Sequence, residues 1–131
     1  MAVLITGSIA TDHLMTFADS FADSFVADQL DKVSLSVLVG AVGPDFADYD
    51  SWLQRHNVDT CGVHVSQSRH TARFVCTTDS EHNQIASFYA GAMTEARQIE
   101  LRPVVDRVGS AEIVLVGAND PEAMLRHTEE C

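Results

Sequence analysis

Two short runs, "AVLITG" at residues 2–7 and "EIVLVG" at 112–117, constrain the fold more than anything else in the chain. Each is almost wholly apolar, rich in β-branched side chains and closed by glycine. A strand hydrophobic on both sides needs cover on both faces, the condition of a strand buried in a parallel α/β sheet. Parallel neighbours are joined by helical crossovers, and segments of helical period lie between the runs. In "TFADSFADSFVADQL" the unit FADS occurs twice and sets Phe17, Phe21 and Phe25 four residues apart, along one side of a helix that Thr16 can cap. "PDFADYDSWLQRHN" puts Phe46, Tyr49, Trp52 and Leu53 on one helical face and ends at Asn57, a plausible terminator.

Beyond Asn57 the period changes to two. "GVHVS", "TARFVCTTD" and "NQIASFYAG" alternate apolar with polar residues, and the polar cluster "DSEH" suits a hairpin turn. "TEARQIELRPVVDRVG" reads as one or two short helices interrupted near Pro103, and "ANDPEAMLRHTEEC" opens a helix with Asp120 at the N-cap and Pro121 at the first helical position. The expected fold is therefore α/β: one domain over 1–131, with a mostly parallel covered sheet and a more exposed antiparallel flap. No strand follows the last helix to complete a βαβ unit, so the domain is expected to be truncated.

Charge narrows the partners. Nineteen Asp and Glu face eight Lys and Arg, a net charge of −11, and such a surface repels a phosphate backbone or an anionic membrane. Nucleic acid and membrane partners are not expected. Runs such as "VLVGAV" are too short to span a bilayer, and the start "MAVLITGSIATDH" lacks the basic region of a signal peptide, which makes a cytoplasmic location the default expectation. Cys61, Cys76 and Cys131 are odd in number without CxxC spacing and read as reduced thiols. Cys61 and His64 in "CGVH" lack the second paired motif that a zinc site needs, so no metal is expected.

Several stretches together resemble the sugar and nucleoside kinases of the ribokinase or PfkB type, including bacterial adenosine-kinase-like members. "ITGSIATDH" is similar to the family's first strand and loop, "GAVGPDF" to its G-x-V-G-x-D stretch, "HTARFVCTTDSEHNQIASFYAGAMTEA" to its lid hairpin and following loop, and "VLVGANDPEAML" to a strand and helix start near the substrate. The resemblance implies a partial ribokinase-like fold with lid-like strands at about residues 33–39 and 62–90. It also implies a parent activity of ATP-dependent phosphoryl transfer to a sugar or nucleoside hydroxyl. Asp12 takes the role of the acidic residue that binds sugar hydroxyls, and Asn119 that of a substrate-contacting polar residue. Phe74, Cys76 and Phe88 become candidate substrate contacts from the lid. The residues by themselves leave other readings open: an Asp after Thr11 suits an Asx-turn or cap, Asn119 suits capping beside Asp120, and alternation puts some lid side chains in a core.

By the same comparison "VSLSVLVGAVGPDF" joins two pieces, a lid strand and a sheet strand, at Val37 to Gly40, with the family's Gly-Gly segment missing between them. A G-A-G-D signature, with its catalytic base and anion hole, is also missing, and the single Lys32 lies in a lid-like segment. Phosphoryl transfer needs a neutralised triphosphate, a positioned hydroxyl and a base within reach, and this chain offers only part of the second. ATP and Mg are thus expected for a complete family member and no cofactor for this chain, which is expected to be inactive alone and to bind a sugar or nucleoside weakly. The competing reading is a non-catalytic ligand-binding or oligomerising module derived from the same fold. Uncovered strand edges favour a homo-oligomer in either case.

Overall fold

The computed structural model describes residues 2–12 and 35–131. The row of Phe17, Phe21 and Phe25 and the position of Lys32 lie outside the described residues.

The chain forms the expected α/β fold. Strands β1 (Ala2–Thr6), β3 (Leu35–Val42), β4 (Val58–Val65) and β7 (Ile113–Val116) make a four-stranded sheet in the order β4-β3-β1-β7, every neighbour pair parallel. β2 (Ala10–Asp12), β5 (Ala72–Thr78) and β6 (Gln84–Tyr89) form a second sheet in that order, with β2 parallel and β6 antiparallel to β5. Helices α1 (Ala47–Arg55), α2 (Leu101–Val108) and α3 (Pro121–Glu130) complete the regular structure, with 3-10 turns at Pro44–Phe46 and Gly91–Gln98.

The core lies on one face of the parallel sheet. Leu4, Val37 and Val39 pack there against Leu101 and Val104 of α2, and Val114 adds to the edge of that cluster. Ala41, Ala96 and Ala123 extend it, small residues that let the 3-10 segment and α3 approach β3 closely. The link from β3 to β4 through α1 and the return from β4 to β7 through α2 run in opposite directions across the sheet. Right-handed crossovers therefore put α1 and α2 on opposite faces.

Residues 35–42 form one continuous strand. Leu35 to Val39 pair in unbroken register with Ala2 to Thr6, so Leu35–Val39 belongs to the parallel sheet and not to a lid. The lid boundary near residue 62 is also corrected, since β4 runs in the same sheet to Val65. An irregularity does fall here. Val37 and Val39 pair with Asp59 and Gly62, so β4 carries one extra residue, a bulge in which the Asp59 carboxylate accepts a hydrogen bond from Cys61 N–H at 2.8 Å.

Three further expectations change. β7 is an edge strand among the described residues, with Ile113 and Leu115 exposed at 48% and 57%, so it is not covered on both faces. α1 buries none of its residues; only Phe46 before it is buried, while Tyr49, Trp52 and His56 continue a tilted aromatic stack along the surface. Pro103 interrupts nothing. It sits in the first turn of α2, where a missing N–H costs no helical bond, and the break falls before Leu101, where Ile99 and Glu100 are extended. Asn57, with φ of 60°, does end α1, and Asp120 caps α3 by accepting from Glu122 and Ala123 N–H groups.

Candidate functional site

The carboxyl ends of β1, β3 and β7 meet at one edge of the parallel sheet, and the second sheet stands beside them. Open α/β sheets bind ligands outside the carboxyl ends of their strands. The loop after β1 crosses β3 closely: a Cβ on Gly40 would lie 2.9 Å from the Gly7 carbonyl oxygen and 2.7 Å from Ile9 Cδ1. The same loop touches the loop after β7, where Ser8 N–H donates to the Ala118 carbonyl at 2.7 Å. That brings the segment leading to Asp12 against the segment leading to Asn119.

The second sheet is fixed to this edge by two carboxylates. Asp45 Oδ1 accepts from Thr71 N–H at 2.9 Å and Thr71 Oγ1 at 2.7 Å, and Oδ2 accepts from Arg73 Nη2 at 2.9 Å. Burial pushes the Asp45 carboxyl up, but the bonds from Thr71 and Arg73 outweigh it and hold the group well below the usual carboxylate range. Glu95 is the other anchor, accepting from Ser66 Oγ at 2.9 Å and facing His64 Nε2 at 3.0 Å. Gly91 completes the root of the sheet. Its φ of +48° belongs to the left-handed region, and a side chain there would collide with the His70 carbonyl, which accepts from Ala92 N–H.

Across the second sheet, Asp12 is in register with Phe74, and Phe74 with Phe88. Three of the five candidate residues thus form one transverse row. Cys76 is two residues beyond Phe74 on the same face, opposite Ala86. None of the lid candidates is a core residue: Phe74 and Cys76 are half-buried and Phe88 is exposed. No hydrogen bond among the described residues joins Asn119 to that row. Its Oδ1 accepts from Asp120 N–H at 2.8 Å, while its buried Nδ2 has no partner among the described residues, an orphaned donor at the carboxyl edge of the sheet.

A cleft of about 470 Å³ lies between α1 and β5, lined by Asp45, Tyr49, Thr71, Arg73 and Phe74. A larger hollow of about 740 Å³ opens at the opposite ends of β3 and β4, beside Leu35, Val58 and Arg107, and no candidate residue borders it. Asp45 and Glu95 are committed as above, Asp120 is bound by Arg97 Nη2 and its own helix, and no group of three or more His, Cys, Asp or Glu residues among those described is placed to hold a metal. No helix among the described residues is long and apolar enough to cross a membrane.

Asp45, Glu95 and the buried pair Thr6–His127 carry no individual role in the sequence reading. The spacing of Gly40, Gly43 and Asp45 in "GAVGPD" is the signal that pointed to the first. Nothing local announces the last. His127 is fully buried; its Nε2 lies 3.2 Å from the Ile99 carbonyl and its Nδ1 faces Thr6 Oγ1. A carbonyl can only accept, so Nε2 carries the proton and Nδ1 accepts from the threonine hydroxyl. That bond ties the end of β1 to α3 across 121 positions of sequence.

Comparison with known proteins agrees with this fold. The structure superimposes on Burkholderia thailandensis nucleoside kinase in complex with inosine with a TM-score of 0.72 and 26% identity, covering 98% of this chain and 48% of that one. The nucleoside kinase of Methanocaldococcus jannaschii, an archaeal member of the ribokinase family, shares the fold with a TM-score of 0.71 at 20% identity, over 99% of this chain and 48% of the other. In sequence, a nucleoside kinase of Methanothermobacter thermautotrophicus is 34% identical over 86 residues, 64% of this chain and 27% of that protein. The chain thus spans about half or less of the length of these relatives. Residues 25–131 match the family of pfkB carbohydrate kinases, and on that match the chain belongs to this family.

Proposed function

We propose that the chain forms the acceptor-holding part of a PfkB-type kinase whose reaction is ATP-dependent phosphoryl transfer to a hydroxyl of a sugar or an adenosine-like nucleoside. In this reading Asp12 holds sugar hydroxyls, Phe74, Cys76 and Phe88 bound the ligand from the lid side, and Asn119 supplies a donor from the loop after β7. The observation that carries it is the transverse register of Asp12, Phe74 and Phe88 at the carboxyl edge of the parallel sheet. The kinship of the chain to nucleoside kinases supports a nucleoside over a free sugar.

In this reading the chain alone orients an acceptor without completing the reaction, since the G-A-G-D segment that carries a family member's base does not occur in its sequence. Titration calorimetry with adenosine, inosine and ribose tests the holding role. Weak, nucleoside-preferring binding lost in Asp12→Ala is expected, and binding indifferent to that change refutes the role of Asp12. Incubation with Mg-ATP and the same acceptors should show no ATP consumption above background; turnover abolished by Asp12→Ala would show a complete kinase.

A second reading, a non-catalytic oligomerising module, is favoured by β6, an edge strand among the described residues, all six of whose residues are exposed. A dimer that binds none of the three acceptors would select it.

A further inference from the structure

Among the described residues, the two buried side-chain nitrogens without a hydrogen-bond partner are Arg97 Nε and Asn119 Nδ2, and both side chains converge on Asp120. Leaving buried donors unpaired costs stability, and such costs gather at functional sites. The Asn119 amide cannot hold its own direction. The last torsion of an asparagine is broad, so the aim of Nδ2 is set by the bond that Oδ1 accepts from Asp120 N–H. The reverse amide orientation would set two donors against each other, which fixes Nδ2 as the free end. The position of Asp120 therefore decides where the Asn119 donor points.

Asp120 is held on both carboxylate oxygens. Oδ1 accepts from Glu122 and Ala123 N–H at 3.1 and 3.2 Å, and Oδ2 accepts from Arg97 Nη2, while Arg97 Nη1 pairs with Glu122 at 2.9 Å. A planar guanidinium that grips two carboxylates of one helix start fixes its place and its rotation together. Arg97 stands on a fixed backbone. Ala96 is buried against Ala41 and Ala123, the Arg97 carbonyl accepts from Arg126 Nη1 at 3.2 Å, and Glu95 accepts from Ser66. Resting on the reading of Asn119 as a donor to the acceptor, we propose that Arg97 is a positioning residue of that site: by gripping Asp120 it aims the Asn119 amide before a nucleoside arrives.

The test follows the Asn119 side-chain amide of the isotope-labelled 131-residue chain by NMR, with and without adenosine. Without adenosine, Arg97→Ala should speed its exchange with water about tenfold or more and leave the backbone amides of Phe74 and Phe88 as they were. Arg97→Lys, which keeps the charge and loses the fork, should fall between, and it decides the matter if the alanine variant does not fold. Glu130→Ala frees the other end of α3 and should lower the melting temperature without changing the Asn119 amide. On titration with adenosine, the Asn119 amide and the Phe74 amide should shift together, and Arg97→Ala should abolish the first shift and keep the second. An Asn119 amide equally protected with and without Arg97, or equally loosened by Glu130→Ala, would overturn the proposal. So would an adenosine response at Phe74 that leaves Asn119 unmoved. An amide ordered by Arg97 in a chain where neither residue responds to adenosine would support the hold of Arg97 on Asn119 and refute the acceptor-holding reading.

Discussion

Of the two carboxylates that seat the second sheet, Asp45 acts directly on β5. Asp45 satisfies the Thr71 amide and hydroxyl and pairs with Arg73, so the first residues of β5 are fixed relative to the loop after β3. Its folded pKa is depressed, as are those of Asp120 and Glu130, where the opposing burial is outweighed mainly by bonds from Arg97 and Arg126 respectively. A depressed carboxylate contributes stability that is fully present above its unfolded pKa, about 4, and is lost as pH falls through the folded value. Stability should therefore hold near neutrality and decline below about pH 5. Asp45→Asn should cost about 1–3 kcal/mol at pH 7 and flatten the acid limb, measured by urea unfolding at several pH values. An unchanged slope would remove Asp45 as a source of the acid response. The Thr6–His127 bond makes a separate prediction. Thr6→Val leaves a buried imidazole nitrogen without a donor and should cost about 1–3 kcal/mol, while Thr6→Val combined with His127→Leu should cost less than the sum of the two single changes. Strict additivity in that cycle would mean that the two side chains do not depend on each other.

Among the elements, what could be read in advance was what local chemistry decides. The apolar runs that became β1 and β7, the caps at Asn57 and Asp120, and the hairpin at Asp79 to Asn83, where the Asp79 carboxylate accepts from the Glu81 and Asn83 amides, all follow from adjacent residues. Burial was not readable in the same way. β7 has the composition of a covered strand, and Ile113 is exposed because no described strand lies beyond it. The aromatic face of α1 looked like a core stripe, but past Phe46 its rings stack on one another instead of on the sheet. The same limit applies to the site. The order of motifs indicated which residues to watch, but the register that aligns Asp12 with Phe74 and Phe88 depends on strand pairing, and the clamps at Asp45 and Glu95 join residues about 26 and 31 positions apart. The continuity of β3 is testable at this scale. Amides from Val37 to Gly40, in a strand paired on both sides, should rank among the slowest to exchange, and those of β6 among the fastest. Exchange at Val37 to Gly40 as fast as in β6 would restore the picture of a joined lid segment.

For the whole molecule, the β6 and β7 edges differ in geometry among the described residues, and that difference bears on how the isolated chain associates. β6 closes an antiparallel hairpin, presents six exposed residues and carries Ile85, which is 80% exposed. Twofold pairing of β6 with its copy is antiparallel and would extend the second sheet without changing its pattern. On the outer face Val75 and Tyr89 add apolar area near Ile85, enough to favour contact between copies. Charge opposes this. Each chain carries −11, and at low ionic strength that repulsion extends over tens of ångströms, whereas at physiological salt it is screened within about 8 Å. Burial of Ile85, Val75 and Tyr89 is not screened, so the balance moves toward association as salt is added. The isolated chain should accordingly be largely monomeric at low salt and form a homodimer or larger assembly in growing proportion as salt rises, followed by light scattering over a concentration series. Ile85→Lys should hold it monomeric throughout, since it places like charges opposite each other at the twofold edge, while Leu115→Lys should leave the dimer intact. A wild-type chain that stays monomeric at both extremes of salt, or one whose dimer survives Ile85→Lys, would mean that the β6 edge is not where copies meet.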